Sequence, residues 1–398
     1  MPEKLAIDGG SPIRKEFLPY GRQWIDDDDI KAVSDVLKTD FITQGPKVAE
    51  FEKLISSYCN TKYAVAYSSG TAALHAAAFT AGISKGDELI TTPITFVADG
   101  NCALFLGGKV KFADIKSDTY NIDPEKIIKQ ITSKTKVILP VDYAGQPCDI
   151  DEINEIAQKH NLIVIEDASH SIGAKYKKKI VGGLTDLTVF SFHPVKHITT
   201  GEGGMVLTNN KEFYDKLSLF RTHGITKDPK KLHRNEGDWY YEMQSLGYNY
   251  RITDFQCALG ISQFKKLDKF IEKRRDIADK YNKAFQDNKE IITPFEKNDI
   301  KSVYHLYVIL LNLEKLKVGR KKIFDALRAE NIGVHVLYIP MHLQPYYQEK
   351  FGYTNGDYPI AENFYERALI LPLFPKMNND DVNDVIDAVK KVIYNYHK

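Results

Sequence analysis

The sequence predicts an α/β protein: a large domain whose mostly parallel seven-stranded sheet is sandwiched by helices, followed by a smaller C-terminal α+β domain. Three observations point there. Seven short apolar runs lie between about residues 62 and 210, helical patterns separate several of them, and a long helical stretch then leads into a segment with strands and helices of its own. Near-continuous apolar strands alternating with helices suit a parallel sheet, where each strand is covered on both faces. A chain of 398 residues also exceeds what one simple core accommodates.

The strand-like runs are residues 63–67, 88–91, 109–113, 137–141, 162–165, 187–192 and 205–208. Helical patterns cover 71–80, 124–131 and 150–160. The basic stretch 175–179, just before Val181-Gly182-Gly183, reads as a solvated hairpin. Residues 253–287 carry Phe255, Leu259, Ile261 and Phe264 at helical spacing and read as one long helix. A strand at 304–311, a helix at 319–330, a strand at 334–338 and a closing helix at 380–394 complete the chain. Domain limits of 15–265 and 266–398 follow, with no internal repeat.

Bulk properties narrow the function classes. Hydrophobic residues make up 43% and charged residues 27%, the balance of an ordinary globular protein. Lys plus Arg (54) nearly cancels Asp plus Glu (53), which argues against a dedicated nucleic-acid binder. The first residues lack the apolar core of a signal peptide, and charge or Pro breaks every apolar stretch before it could span a membrane. Cys59, Cys102, Cys148 and Cys257 are scattered without a CxxC pair, as expected of reduced, buried thiols. A cytoplasmic enzyme fits all of this.

In an open parallel sheet ligands sit at the C-terminal strand ends, so the residues just after the apolar runs matter most. The run 162–165 ends in Glu166-Asp167. Asp167 could cap a following helix, or be an anion held beside a cofactor's ring nitrogen. The run 187–192 leads to His193-Pro194-Val195-Lys196-His197 and a glycine-rich turn. A lysine buried there would have a lowered pKa and an amine free for Schiff-base chemistry. The segment Ser68-Ser69-Gly70-Thr71 joins a strand to a helix start. It suits a phosphate held by backbone N–H groups and hydroxyls, and equally a plain N-cap. Phe96 follows another strand and could stack on an aromatic ring. No G-x-G-x-x-G follows the first strand, which disfavours a nicotinamide-type site.

These pieces occur in the order of a fold-type I pyridoxal-phosphate transferase. From about residue 15 onward the chain resembles the DegT/DnrJ/EryC1/StrS sugar aminotransferase family. The matching segments are Thr43-Gln44-Gly45-Pro46, Ser69-Gly70-Thr71-Ala72-Ala73-Leu74, Asp142-Tyr143-Ala144-Gly145-Gln146-Pro147, Glu166-Asp167-Ala168-Ser169-His170, 191–204 and Gly247-Tyr248-Asn249-Tyr250-Arg251. The resemblance implies pyridoxal 5′-phosphate tethered to Lys196, with Asp167 on its ring nitrogen, Phe96 over one ring face and His170 near the ring hydroxyl. It implies a phosphate site of Gly70, Thr71 and Ser191 with Ser69 beside them. Asn249 would reach the neighbouring subunit's phosphate, hence a homodimer. Tyr20, Asp40, Phe41, Ile42, Thr43 and Tyr338 map to sugar-nucleotide contacts.

Residues 92–97, 141–145 and 198–204 carry a narrower likeness, to the branch that aminates C4 of a UDP-linked 4-keto-6-deoxy-N-acetylhexosamine in the pseudaminic acid pathway, with L-glutamate as donor. Sister enzymes acting on other nucleotide ketosugars, of bacillosamine or perosamine type, share much of it. One departure stands out: family members often read His-Tyr-x-Pro where this chain has Leu337-Tyr338-Ile339-Pro340. A dehydratase of the same fold would replace the tethering lysine by histidine, whereas Lys196 is present. A binding or regulatory protein keeping the cofactor pocket without turnover is the rival from another class.

Overall fold

A computed structural model describes residues 3–398. All seven expected runs are strands of one sheet: β1 (Tyr63–Tyr67), β2 (Glu88–Thr91), β3 (Lys109–Phe112), β4 (Thr135–Leu139), β5 (Ile163–Asp167), β6 (Leu187–Ser191) and β7 (Gly204–Thr208). Their order is β1-β7-β6-β5-β4-β2-β3. The neighbours from β3 to β6 pair in parallel, and only β7 runs antiparallel, to both β6 and β1. An antiparallel neighbour needs no helical crossover, so β6 returns to β7 through the loop 192–203 alone. That loop carries Lys196.

Helices cover the sheet, among them α1 (Asp27–Leu37), α2 (Pro46–Tyr58), α3 (Gly70–Thr80) and α4 (Ala98–Leu104). Ala72, Ala73, Leu74, Ala76, Ala77 and Ala78 of α3 are all buried. A helix apolar all round belongs inside, and its short side chains let it lie close against the strands.

The expected helix over 253–287 is two helices, α5 (Asp254–Phe264) and α6 (Leu267–Phe285). Apolar periodicity continues through the junction, but Lys266 is drawn aside to Asp26 and Asp29 at the start of α1, each at 2.7 Å. α6 contributes Leu267 and Ile271 to a core against the large sheet, and Ile277, Ala278, Tyr281 and Phe285 to a second core. That second core surrounds an antiparallel sheet of β8 (Ile291–Ile292), β9 (Tyr307–Leu311) and β10 (Ala368–Leu371), with α7 (Arg320–Ala329), α8 (Asn379–Tyr396) and the N-terminal Leu5 and Leu18.

The strand expected at 334–338 reduces to one bridge, His335 with Ile370, bonded both ways at 2.9 and 3.2 Å. The chain then leaves the sheet, carrying Tyr338 toward the large domain, and Pro340 has no N–H to continue a ladder. β10, bounded by Arg367 and Pro372, takes the place beside β9 instead. The basic hairpin is as expected, with strands Lys175–Tyr176 and Lys179–Ile180 and a Lys177–Asp151 ion pair at 2.7 Å. All four cysteines are free and buried. Among the described residues no helix is long and apolar enough to cross a membrane.

Arg274 of α6 ties that helix to the loops of the C-terminal part. It is 2% exposed, and its Nη1 donates to the carbonyls of Tyr304, His305 and Leu373 at 3.4, 3.2 and 3.0 Å. Burial pushes its guanidinium down to about 9. Arg274→Met keeps the volume and strands those carbonyls, so it should cost about 3 kcal/mol of stability. A denaturant titration with an unchanged midpoint would refute this role.

Candidate active site

Successive residues of a strand face opposite sides of a sheet, so the acids ending β5 part company. Glu166 is fully buried and accepts from the Thr188 hydroxyl at 3.0 Å. Burial, reinforced by Asp142, holds its carboxyl well above the usual range. Asp142, itself pushed up to about 6 by burial, accepts from the Ser171 hydroxyl at 2.6 Å. Asp167 points the other way and is 7% exposed. Its Oδ1 accepts from the Ser169 N–H at 2.9 Å, which caps a turn and not a helix.

Lys196 sits in the β6–β7 loop. The loop is tied at its base, where the Phe192 N–H donates to Gly203 at 2.9 Å and the Phe192 carbonyl accepts from the Thr200 N–H and the Thr199 hydroxyl. Lys196 is half-buried. Burial pushes its amine down to about 8, opposed by the negative charge of Asp167 and Asp99. An amine so placed is largely neutral at moderately alkaline pH, which makes it a nucleophile and a proton acceptor.

The turn into α3 meets the end of β6. Ser69 is the N-cap, its hydroxyl accepting from the Ala72 N–H at 3.1 Å, which leaves its own O–H free to donate. A Cβ on Gly70 would lie 3.0 Å from the Ser191 Cβ, and one on Gly204 would lie 2.4 Å from the Ser69 carbonyl oxygen. Both glycines are therefore what brings the first N–H groups of α3 beside the Ser191 hydroxyl. Thr71 is exposed in the helix's first turn. Ser69, Gly70, Thr71 and Ser191 thus form one polar cradle at a helix N-terminus, suited to a phosphate.

Phe96 is 56% exposed, with its ring centroid 6.1 Å from that of Tyr338. The Tyr338 hydroxyl lies 3.3 Å from His170 Nε2. Behind them His170 stacks near His305 (4.2 Å between centroids), and His305 lies 5.5 Å from His197. Burial pushes all three imidazoles well below their ordinary value, and the charge of Lys196 adds to this, so they are neutral at pH 7. Tyr20 lines the same region, in a small cavity with Val195 and His305. Leu337 stands where a family histidine is often found, and its carbonyl accepts from the Tyr143 hydroxyl.

Not every expected residue joins this cluster. Asn249 is exposed, in a segment bridged to Thr222. Asp40, Phe41, Ile42 and Thr43 are exposed and anchored to the start of α5, through a Thr43–Thr253 bridge and an Asp254 N–H to Ile42 O bond of 3.0 Å. None of these side chains bonds to Lys196, Asp167 or Tyr338. Sequence reasoning missed Asp99 and His305, although Asp99 is the one charged residue in 94–105 and His305 interrupts the apolar run 303–311.

A lowered-pKa amine, a carboxylate beside it, an exposed aromatic face and a helix-terminal cradle together define a fold-type I pyridoxal-phosphate transferase. The donor set fits that cofactor: an amine for its aldehyde, an acid for its ring nitrogen and a glycine-cleared hydroxyl cradle for its phosphate. The chain belongs to the DegT/DnrJ/EryC1/StrS aminotransferase family, whose model matches residues 23–390. It is 43% identical over 381 residues to the spore coat polysaccharide biosynthesis protein SpsC of Bacillus subtilis (96% of this chain, 98% of that one). It is 41% identical over 380 residues to the UDP-4-amino-4,6-dideoxy-N-acetyl-beta-L-altrosamine transaminase of Campylobacter jejuni (95% and 98%). Among solved structures, Helicobacter pylori PseC, an aminotransferase involved in the biosynthesis of pseudoaminic acid, superposes with a TM-score of 0.89 at 34% identity (96% and 100%). The PLP-form of a putative sugar aminotransferase from Streptococcus pneumoniae also reaches 0.89, at 29% identity (95% and 99%).

Lys196 yields a kinetic prediction. On adding pyridoxal phosphate to the apoprotein, the rate at which the visible band appears should rise with pH and be half-maximal near about 8, where this amine loses its proton. A rise that begins only around the ordinary lysine value, about 10.4, would show an unperturbed amine.

Proposed function

We propose that this aminotransferase moves an amino group from L-glutamate to C4 of a UDP-linked 4-keto-6-deoxy-N-acetylhexosamine, as in pseudaminic acid biosynthesis, with Lys196 as tether and proton carrier. The observation that carries the chemistry is the Lys196 amine, lowered to about 8 beside the buried Asp167. Pyridoxal phosphate, when bound, supplies an electron sink that stores the amino group between two half-reactions. The Lys196 amine would hold the cofactor's aldehyde carbon and, when free, would carry a proton between the donor's α-carbon and that position. With the ketosugar bound it runs the transfer in reverse. Asp167 would hold the proton on the ring nitrogen, Phe96 would cover one ring face and neutral His170 would lie near the ring hydroxyl. Ser69, Gly70, Thr71 and Ser191 bind the phosphate. Tyr20 and Tyr338 border the side from which the sugar enters.

Asn249 and residues 40–43 contribute to the site of a second copy, which makes the working unit a homodimer. This reading is supported by their exposure and by their lack of bonds to the cluster on their own chain. The acceptor is supported by the 41% identity to the altrosamine transaminase. A second acceptor class, another nucleotide 3- or 4-ketosugar, is favoured by the 43% identity to a spore coat polysaccharide protein.

Two experiments test this. Incubating the enzyme with glutamate and a panel of UDP- and dTDP-linked ketosugars, with mass spectrometry and NMR of the products, should give a C4-aminated UDP sugar as the fastest product. Preferential amination of a dTDP sugar, or at C3, would replace the acceptor assigned here. Lys196→Ala and Asn249→Ala should each be nearly inactive alone. Refolded together at equal amounts, they should recover activity approaching about a quarter of wild type, because half the dimers are hybrids with one intact site. No recovery would sink the shared-site dimer.

A further inference from the structure

Asp99 lies outside every role assigned above. It is the second residue of α4, three positions after Phe96, and is 1% exposed. An acid in the first turn of a helix ordinarily meets solvent and the positive end of the dipole. This one is turned inward. Its Oδ2 accepts from the Thr95 hydroxyl, while its Oδ1 is buried without a conventional donor. The Asp99 carboxyl is within hydrogen-bonding reach of the Asp167 carboxyl. Two carboxylates at that distance cannot both be ionised, and a proton held between them turns repulsion into a hydrogen bond.

We propose that Asp99 is a positioning residue: its carboxyl donates a hydrogen bond to Asp167 and fixes that carboxylate as the one anion facing the cofactor's ring nitrogen. The inference rests on the reading of Asp167 as the ring-nitrogen partner. Division of labour follows from the surroundings. Asp167 already accepts from the Ser169 N–H, whereas burial and the adjacent Asp167 charge hold Asp99 well above the usual carboxylate range. The Lys196 ammonium acts on both acids. Tyr338, Tyr347, Cys102 and Asp142 are the other titratable groups around them; burial pushes all four above their ordinary values, Asp142 to about 6, so Asp142 is the one whose charge also changes below neutral pH, in both wild type and the Asp99 variants.

Asn and Ala substitutions separate this role from a purely structural one, because an Asn amide donates to a carboxylate as a neutral acid does and Ala cannot. In the holoenzyme, Asp99→Asn should keep the visible cofactor band, its pH titration and the glutamate half-reaction within about threefold of wild type. Asp99→Ala should slow the half-reaction about thirtyfold and shift the titration of the band, the size expected for losing a hydrogen bond to a charged group. Equal damage in both variants, or none in the Ala variant, overturns the proposal.

The apoprotein gives an independent readout. A group whose folded pKa is raised stabilises the fold at low pH and loses that contribution as pH rises through the folded value. Wild-type Tm should therefore fall relative to Asp99→Asn from the ordinary carboxylate range upward. Parallel curves overturn the pair. If wild type binds no pyridoxal phosphate, the role given to Asp167 fails, and these curves still decide whether Asp99 is bonded to it.

Discussion

Four carboxyl groups, those of Asp99, Asp142, Glu166 and Asp167, are buried around the end of one strand with the amine of Lys196 beside them. Burial disfavours charge there: Asp99, Asp142 and Glu166 are pushed up and the amine is pushed down. Glu166 and Asp142 settle this on the far face of β5 through the hydroxyls of Thr188 and Ser171. On the near face, Asp167 accepts from the Ser169 N–H and stands beside Lys196. The chemistry of the site is the outcome of this contest, since a lysine in water would be an ammonium ion and no nucleophile.

The sheet makes that contest possible. Parallel strands β4, β5 and β6 end together, and the antiparallel β7 lets the chain turn back at once, dropping Lys196 over the strand ends. Gly70 and Gly204 then admit the start of α3 against Ser191. On the other side, Arg274 fastens the carbonyls of Tyr304 and His305, and so places the imidazole that backs His170. The small sheet thus supplies the rear wall of a site whose reactive groups belong to the large one.

Much of this was legible in the sequence, and the reason is local. Runs such as 63–67 and 187–192 are apolar throughout because both faces of their strands are covered, so pattern alone finds them. Lys196, Asp167 and the Ser-Gly-Thr turn follow strand ends directly. What the sequence hid depends on neighbours far along the chain. The break at Lys266 comes from Asp26 and Asp29, and 334–338 fails as a strand because the chain leaves β10 after the single His335–Ile370 bridge. Asp99 gave no signal of its partner, because the carboxyl it meets ends a strand 68 residues further on. The segment 40–43 and Asn249 were legible by resemblance only, since they are exposed and make no bond to the cluster on their own chain.

β1 and β7 are joined edge to edge, Tyr63 with Thr208 and Tyr67 with Gly204. The first strand of the sheet is therefore held on one side by the last, and the cradle of Ser69 and Gly70 leans on Ser191 and Gly204. A ribosome releasing this chain exposes β1 and the alanine helix α3 long before their partners exist. Strand pairings this far apart in sequence carry a large loop-closure cost and form late. The apolar flank of α3 must wait for residues 187–208, so the growing chain presents a greasy, unpaired edge during synthesis. The pairing that completes the cradle is also the event that ends that exposure.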